Sequence, residues 1–163
     1  YAVVDTTNEL AVFTNFLSSN PSDASISASK RVAVEGIVRT HGLDYDGDTM
    51  VLTDIAAAAD GNFDTDGAIH VISNFNSKFN AVANGETLAL TNQIRISGAS
   101  TLLGNPVNVV YDAEADAVYV AELANGGGRV LAFSSVSSNT SGTATPAVNN
   151  SLTGVSSLYL YKN

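Results

Sequence analysis

The sequence predicts an all-β protein, an array of four-stranded antiparallel units with little helix. Three observations carry this expectation. Strand-length runs of alternating apolar and polar residues, bounded by Gly, Asn, Asp or Ser clusters, fill most of the 163 residues. Few windows place apolar residues at i, i+3, i+4 and i+7, and the best of them, residues 55–59, stops at Asp60-Gly61. Finally, one strand-turn-strand pattern occurs twice along the chain.

Taken in order, Tyr1-Ala2-Val3-Val4 already reads as a strand, followed by residues 10–13 and 31–35. Residues 50–53, 68–72, 94–96, 107–111, 117–121, 129–133 and 155–161 supply the remaining clear strands. In most of them Val, Ile, Leu, Phe and Tyr alternate with small residues, a pattern expected of sheets buried on at least one face and usable on both. The repeat sits inside this series. His41-Gly42-Leu43-Asp44-Tyr45-Asp46, a short turn, and Met50-Val51-Leu52-Thr53-Asp54 match Val107-Asn108-Val109-Val110-Tyr111-Asp112, a turn, and Val118-Tyr119-Val120-Ala121-Glu122. Each unit continues into a third strand, 68–72 or 129–133, and a fourth, expected at 94–96 and at 143–147. Four antiparallel strands per unit describe the blade of a β-propeller.

The later unit carries the more specific pattern. Asn105-Pro106-Val107-Asn108-Val109-Val110-Tyr111-Asp112, then residues 117–122, then Asn125-Gly126-Gly127-Gly128-Arg129-Val130-Leu131-Ala132-Phe133 resemble the repeat of the NHL-type and lactonase-like propeller families. The earlier unit is a looser match, without the Pro and with a longer second loop. The resemblance implies a propeller-like fold, an architecture that hosts binding modules, scaffolds and hydrolases alike.

On this reading a single domain spans 1–163: an incomplete first unit at 1–39, a second at 40–104, a third at 105–151 and a closing strand at 152–163. Residues 1–5 read as the second strand of the first unit, which lacks a first strand, with Asp5 in the place of Asp54 and Glu122. The closing segment offers the missing strand. Leu158 and Leu160 share one face and Tyr159 and Tyr161 the other, with Val155 at its start. Three units are too few to close a ring, since propellers have about four to eight blades. The expectation is therefore strand addition between molecules, residues 155–161 of one copy pairing with the edge at Tyr1, Val3 and Val4 of another to give a ring or a filament. The competing expectations are a fragment of a longer propeller and a different all-β fold such as a sandwich.

Composition narrows the function classes. Seven Lys plus Arg against sixteen Asp plus Glu give a net charge of −9, which leaves no diffuse basic surface for nucleic acid. There is no Cys, so disulfides, thiol nucleophiles and thiolate metal sites are excluded. No apolar run approaches the roughly 18 residues of a membrane span. A Ser, Thr and Asn-rich surface with N-x-S acceptors at Asn139 and Asn149 points to an extracellular or cell-surface protein, and a first residue Tyr1 to a processed product or fragment.

The sharpest chemical motif is residues 60–67, where Asn62, Asp64 and Asp66 precede Gly67 as in the start of a calcium loop. Position twelve, counted from Asn62, is Ser73 instead of the closing Glu, so a solvated hairpin loop is the alternative. Asp44, Asp46 and Asp48 around Gly47, and Asp112, Glu114 and Asp116, read as acidic hairpin turns. Asp5, Asp54 and Glu122 read as strand-end carboxylates that cap the following turn, a role favoured over a shared calcium-dependent hydrolase channel. His41 and His70 have no metal-ligand spacing. No catalytic residue is assigned. The expected function is a structural or interaction protein that assembles with itself, the alternatives being a calcium-assisted lactonase-like hydrolase and a fragment of a larger ligand-binding propeller.

Overall fold

The computed structural model describes residues 1–20, 22–57 and 65–162. It is mostly β, arranged as three four-stranded sheets, none of them closed. The first holds β1 (Ala2–Val3), β2 (Glu9–Val12), β3 (Lys30–Val34) and β7 (Thr87–Leu88), the last lying parallel to β3. The second is β4 (Thr40–Tyr45), β5 (Met50–Asp54), β6 (Ala68–Ile72) and β8 (Ile94–Ser97), antiparallel throughout. The third, also antiparallel, is β9 (Pro106–Asp112), β10 (Ala117–Glu122), β11 (Arg129–Ser134) and β12 (Val148–Ser151). Two short helices, α1 (Phe16–Ser19) and α2 (Phe75–Ala81), follow β2 and β6.

Period-two alternation decides how the sheets stack. On β5, Met50 and Leu52 face the first sheet and join Leu10, Val32 and Val34, with Phe75 and Phe79 of α2 filling the gap. Val51, with Ile69, Val71 and Ile96, faces the third sheet and meets Val109, Val118, Val120, Leu131 and Phe133. The middle sheet is therefore apolar on both faces, as its near-continuous hydrophobic runs require. At the junction of β4 and β9, a Cβ on Gly42 would lie 2.9 Å from the Asn108 Cα, so glycine is what lets these two backbones approach.

The expected hairpin turns are present. Asp46 Oδ1 accepts the amides of Asp48 and Thr49 at 2.8 and 2.7 Å, and Asp112 Oδ1 accepts those of Glu114 and Ala115 at 3.0 and 3.2 Å. Three expectations need correction. The fourth strand of the third sheet is Val148–Ser151, not residues 143–147. Residues 155–161 do not form a strand in a sheet; they run as an extended strap over the third sheet. Asp5 does not stand in the place of Asp54 and Glu122. Val4 donates its amide to Glu9 O, as the Asp54–Ala68 pairing would place it, and Asp5 lies one residue further on.

The polarity of β1 fixes which strand it is. The Tyr1 ring packs on Tyr45 at one end of β4, with centroids 5.2 Å apart, while Asp5 pairs with Arg39 at the other. β1 thus runs antiparallel to β4, as β5 does, and aligns with the second strands β5 and β10. Among the described residues the first sheet has no counterpart of β4 and β9.

Candidate functional site

Two wholly buried carboxylates hold the fold. Glu122, fully buried, accepts the amides of Gly104, Asn105, Ala124 and Asn125 at 2.8 to 3.0 Å. Asp54 Oδ1 accepts those of Val38, Arg39 and Ala56, each at 3.0 Å. In both sheets the acid at the end of the second strand ties the segment entering the first strand to the turn that follows the second. Burial raises the Glu122 pKa above the ordinary carboxylate range, and the four amides offset only part of that shift. Both Glu122 oxygens are occupied as acceptors, whereas Asp54 Oδ2 is buried without a hydrogen bond, 3.9 Å from Arg95 Nη2.

The other chemical candidates are dispersed. His41 Nδ1 donates to Val107 O at 2.8 Å, bridging β4 and β9. It lines a cleft of about 300 Å³ with Asp5, Arg39, Ile55, Asn105, Val107 and Leu123. His70 is buried on β6 with Nδ1 2.7 Å from Gln93 Oε1. Of the expected calcium ligands, Asn62 and Asp64 lie outside the described residues, while Asp66 lies within them. Among the described residues no group of three or more His, Asp or Glu is placed to hold a metal ion.

What the structure does bring together is a set of open ends. The strap lies on the outer face of the third sheet, with Val155 buried against Val107 and Ala121, and with Leu158 and Val130 packed against that cluster. Leu158 N donates to Asn108 Oδ1 at 2.8 Å, and Lys162 Nζ reaches Asp112 Oδ1 and Glu114 Oε2 at 2.5 and 3.3 Å. Contacts advance from 108 to 112 as the strap advances from 158 to 162, so the strap runs parallel to β9. The same relation links β9 to β4: Tyr111 N donates to Asp44 Oδ2 at 2.7 Å. The strap therefore occupies, relative to the third sheet, the position that β9 occupies relative to the second. Its Tyr159 and Tyr161 are 87% and 73% exposed, while Leu158 and Leu160 turn inward over Val110, Tyr119 and Val130 around a cavity of about 110 Å³.

The accepting edge expected at Tyr1, Val3 and Val4 is the outer side of β1. Val4 N is spent on Glu9 O, so strand alternation turns the Val3 amide away from β2. Val3 also packs into the core between the first and second sheets, and the Tyr1 ring covers Phe75 and Phe79. Sequence reasoning missed a further open edge, β12, all four residues of which are exposed.

No family model, no curated protein and no solved structure matches this chain.

Proposed function

We propose that this chain is a non-enzymatic, extracellular interaction module that joins copies of itself head to tail, the strap of one copy supplying the first strand of the next copy's first sheet. The supporting observation is the double correspondence just described. The first sheet lacks a counterpart of β4 and β9, and the strap lies beside β9 as β9 lies beside β4. A strand so placed meets the next sheet without leaving its own, because β9 itself both adjoins β4 and pairs with β10. Pairing along β1 satisfies outward backbone groups and removes an exposed edge.

The finer arrangement we infer is the propeller-like array of the NHL-type resemblance, with successive sheets as blades. Head-to-tail contacts of this kind are heterologous, so they close into a ring or continue as a filament. The extracellular location rests on the Ser, Thr and Asn-rich surface and on the N-x-S acceptors at Asn139 and Asn149.

Sedimentation velocity across a concentration series tests the reading. The full chain is expected to associate, and a chain ending at residue 152 to remain monomeric. Tyr159→Pro removes one strap amide and leaves Val155, Leu158 and Leu160 to anchor the segment; it should likewise prevent association while the far-UV circular dichroism stays unchanged. A full chain that is monomeric throughout, or strap variants that associate as the full chain does, would overturn the proposal.

A further inference from the structure

A three-bond clip occurs twice in this molecule. On the outer edge of β3, Arg31 N donates to Asn84 Oδ1 at 2.8 Å, Gly85 N to Arg31 O at 2.8 Å, and Ala33 N to Glu86 O at 3.0 Å. On the outer edge of β8, Arg95 N donates to Ser141 Oγ at 3.0 Å, Gly142 N to Arg95 O at 2.9 Å, and Ser97 N to Gly142 O at 3.0 Å. Both arriving segments lie parallel to the strand they grip. Both belong to the connection between the third and fourth strands of the following sheet. The second and third sheets thus each hold the outer edge of the one before.

The register extends the pattern to β12. Arg95 and Ser97 pair with His70 and Ala68, while Asn149 and Ser151 pair with Leu131 and Arg129, the corresponding positions of the third sheet. Leu152 N donates to Gly128 O, so alternation along the antiparallel pair directs residues 148 and 150 toward β11 and the backbone groups of Asn149 and Ser151 outward. Those are the groups that the clip engages on β3 and β8. β12 itself carries no charge and no Pro, two usual guards of an open edge; the one irregularity is at its start, where Ala147 N donates to Ala132 O, the partner of Val148, and among the described residues no segment pairs with its outer side.

The matching clip is also visible. Each third-to-fourth connection begins with a left-handed residue followed by an apolar anchor: Asn74 (φ 51°) then Phe75, and Ser135 (φ 55°) then Val136. Both anchors are wholly buried, Phe75 between the first and second sheets and Val136 between the second and third. The first sheet has the same turn, Asn15 (φ 53°) then Phe16. Yet Phe16 is 51% exposed, and Leu17 and Ile26 beside it are 84% and 39% exposed. Phe16 and Ile26 line an open cavity of about 520 Å³ with Asn20, Ser22, Asp23 and Ala24. The turn is formed and its anchor has no preceding sheet to enter.

We propose that the connection between β2 and β3 of one copy, through its described residues 13–20 and 22–29, clips the outer edge of β12 of the preceding copy, with Phe16 as its buried anchor. The inference rests on the head-to-tail reading above and adds its second half: the strap passes from the preceding copy to the following one, and the clip reaches back. The occupant of the β12 edge is a second copy of this chain, because the one unseated connection of this type belongs to its own first sheet.

Asn149→Pro deletes the outward amide of β12 and leaves the inward groups of Val148 and Asn150 in their ladder, which an edge strand tolerates. It should weaken association about tenfold to a hundredfold, the effect of one or two interfacial hydrogen bonds, while urea unfolding of the subunit should match that of Asn149→Ala, which likewise loses the exposed 2.8 Å bond from Arg129 Nη1 to Asn149 Oδ1. Because the chain has no Cys, a second arm is direct. Ser25→Cys chains mixed with Asn150→Cys chains and treated with a short bifunctional maleimide should give covalent heterodimers, which neither variant forms alone. Asn149→Pro chains that associate as tightly as the unmodified chain, or a mixture without heterodimers, overturn the clip. If the strap variants still abolish association, the strand-addition reading survives that result. Absence of any association by the unmodified chain overturns both.

Discussion

His70 offers the most quantitative test of the packing between the first and second sheets. It sits on β6 with no solvent exposure, Nδ1 2.7 Å from Gln93 Oε1 and Nε2 without a hydrogen-bond partner. Desolvation lowers its pKa from 6.5 to about 4; the Gln93 bond opposes this, and the charge of Arg95 lowers it slightly further. The folded-state value is depressed, so between pH 6.5 and 4 the unfolded chain binds the extra proton and the folded chain does not. Stability is therefore present above pH 6.5, falls as the pH drops, and is lost in full below about 4. A displacement of this size corresponds to about 3 kcal/mol, a substantial part of the ~5–15 kcal/mol typical of a domain. Urea unfolding followed by tyrosine fluorescence at pH 7, 5.5 and 4.5 measures it. The reference is His70→Leu, which installs the residue found at the matching position of the third sheet, Leu131. The difference between the two chains should change by about 2–3 kcal/mol across that range. Equal pH dependence in both would show that His70 is hydrated or charged in the native state and would refute the reasoning.

Two further predictions concern the joints between strands. Glu122→Ala strands four amide donors, at least two of them buried, and should cost about 3–5 kcal/mol in urea unfolding; a loss below about 1 kcal/mol would show that water replaces the carboxylate. Gly42→Val forces a side chain into the contact with Asn108 and should cost about 1–3 kcal/mol, read as a lower thermal midpoint, whereas an unchanged midpoint would mean that β4 and β9 separate freely.

Much of the strand order was legible because period-two alternation survives wherever both faces of a strand are packed. The β5, β6, β9, β10 and β11 segments combine Val, Ile and Leu with tight polar turns, and their limits differ from the expected ones by a residue or so. The failures have local causes. β12 is Val-Asn-Asn-Ser, exposed along its whole length, so no apolar period marks it, and residues 143–147 looked the better strand. β7 is two residues that pair in parallel with a distant strand, which leaves no hairpin signal. The slip of Asp5 against Asp54 arises because Ala2-Val3-Val4 is apolar at consecutive positions, and a strand without alternation does not specify its register. The carboxylate caps were legible from spacing alone, since an acid closing a second strand recurs at Asp54 and Glu122. The clips were not, because backbone pairing between sheets leaves little trace in side-chain pattern.

One trace was present and becomes meaningful only with burial beside it. Thr14-Asn15-Phe16 and Ser73-Asn74-Phe75 are nearly the same tripeptide, and Asn in both adopts the left-handed conformation that lets the chain reverse after a third strand. Identical local chemistry gives identical local geometry, yet Phe75 is wholly buried and Phe16 is half exposed. The difference cannot come from the turn; it comes from what stands on the far side of it. A unit of a stacked array cannot bury both of its faces alone, so its outermost anchors stay wet until another sheet arrives. The two ends of this stack are unequal in a complementary way: the first presents an apolar anchor and an incomplete sheet, the last an uncharged open edge and an additional strand. That complementarity, residue by residue in register, is the physical reason to expect one end to recognise the other.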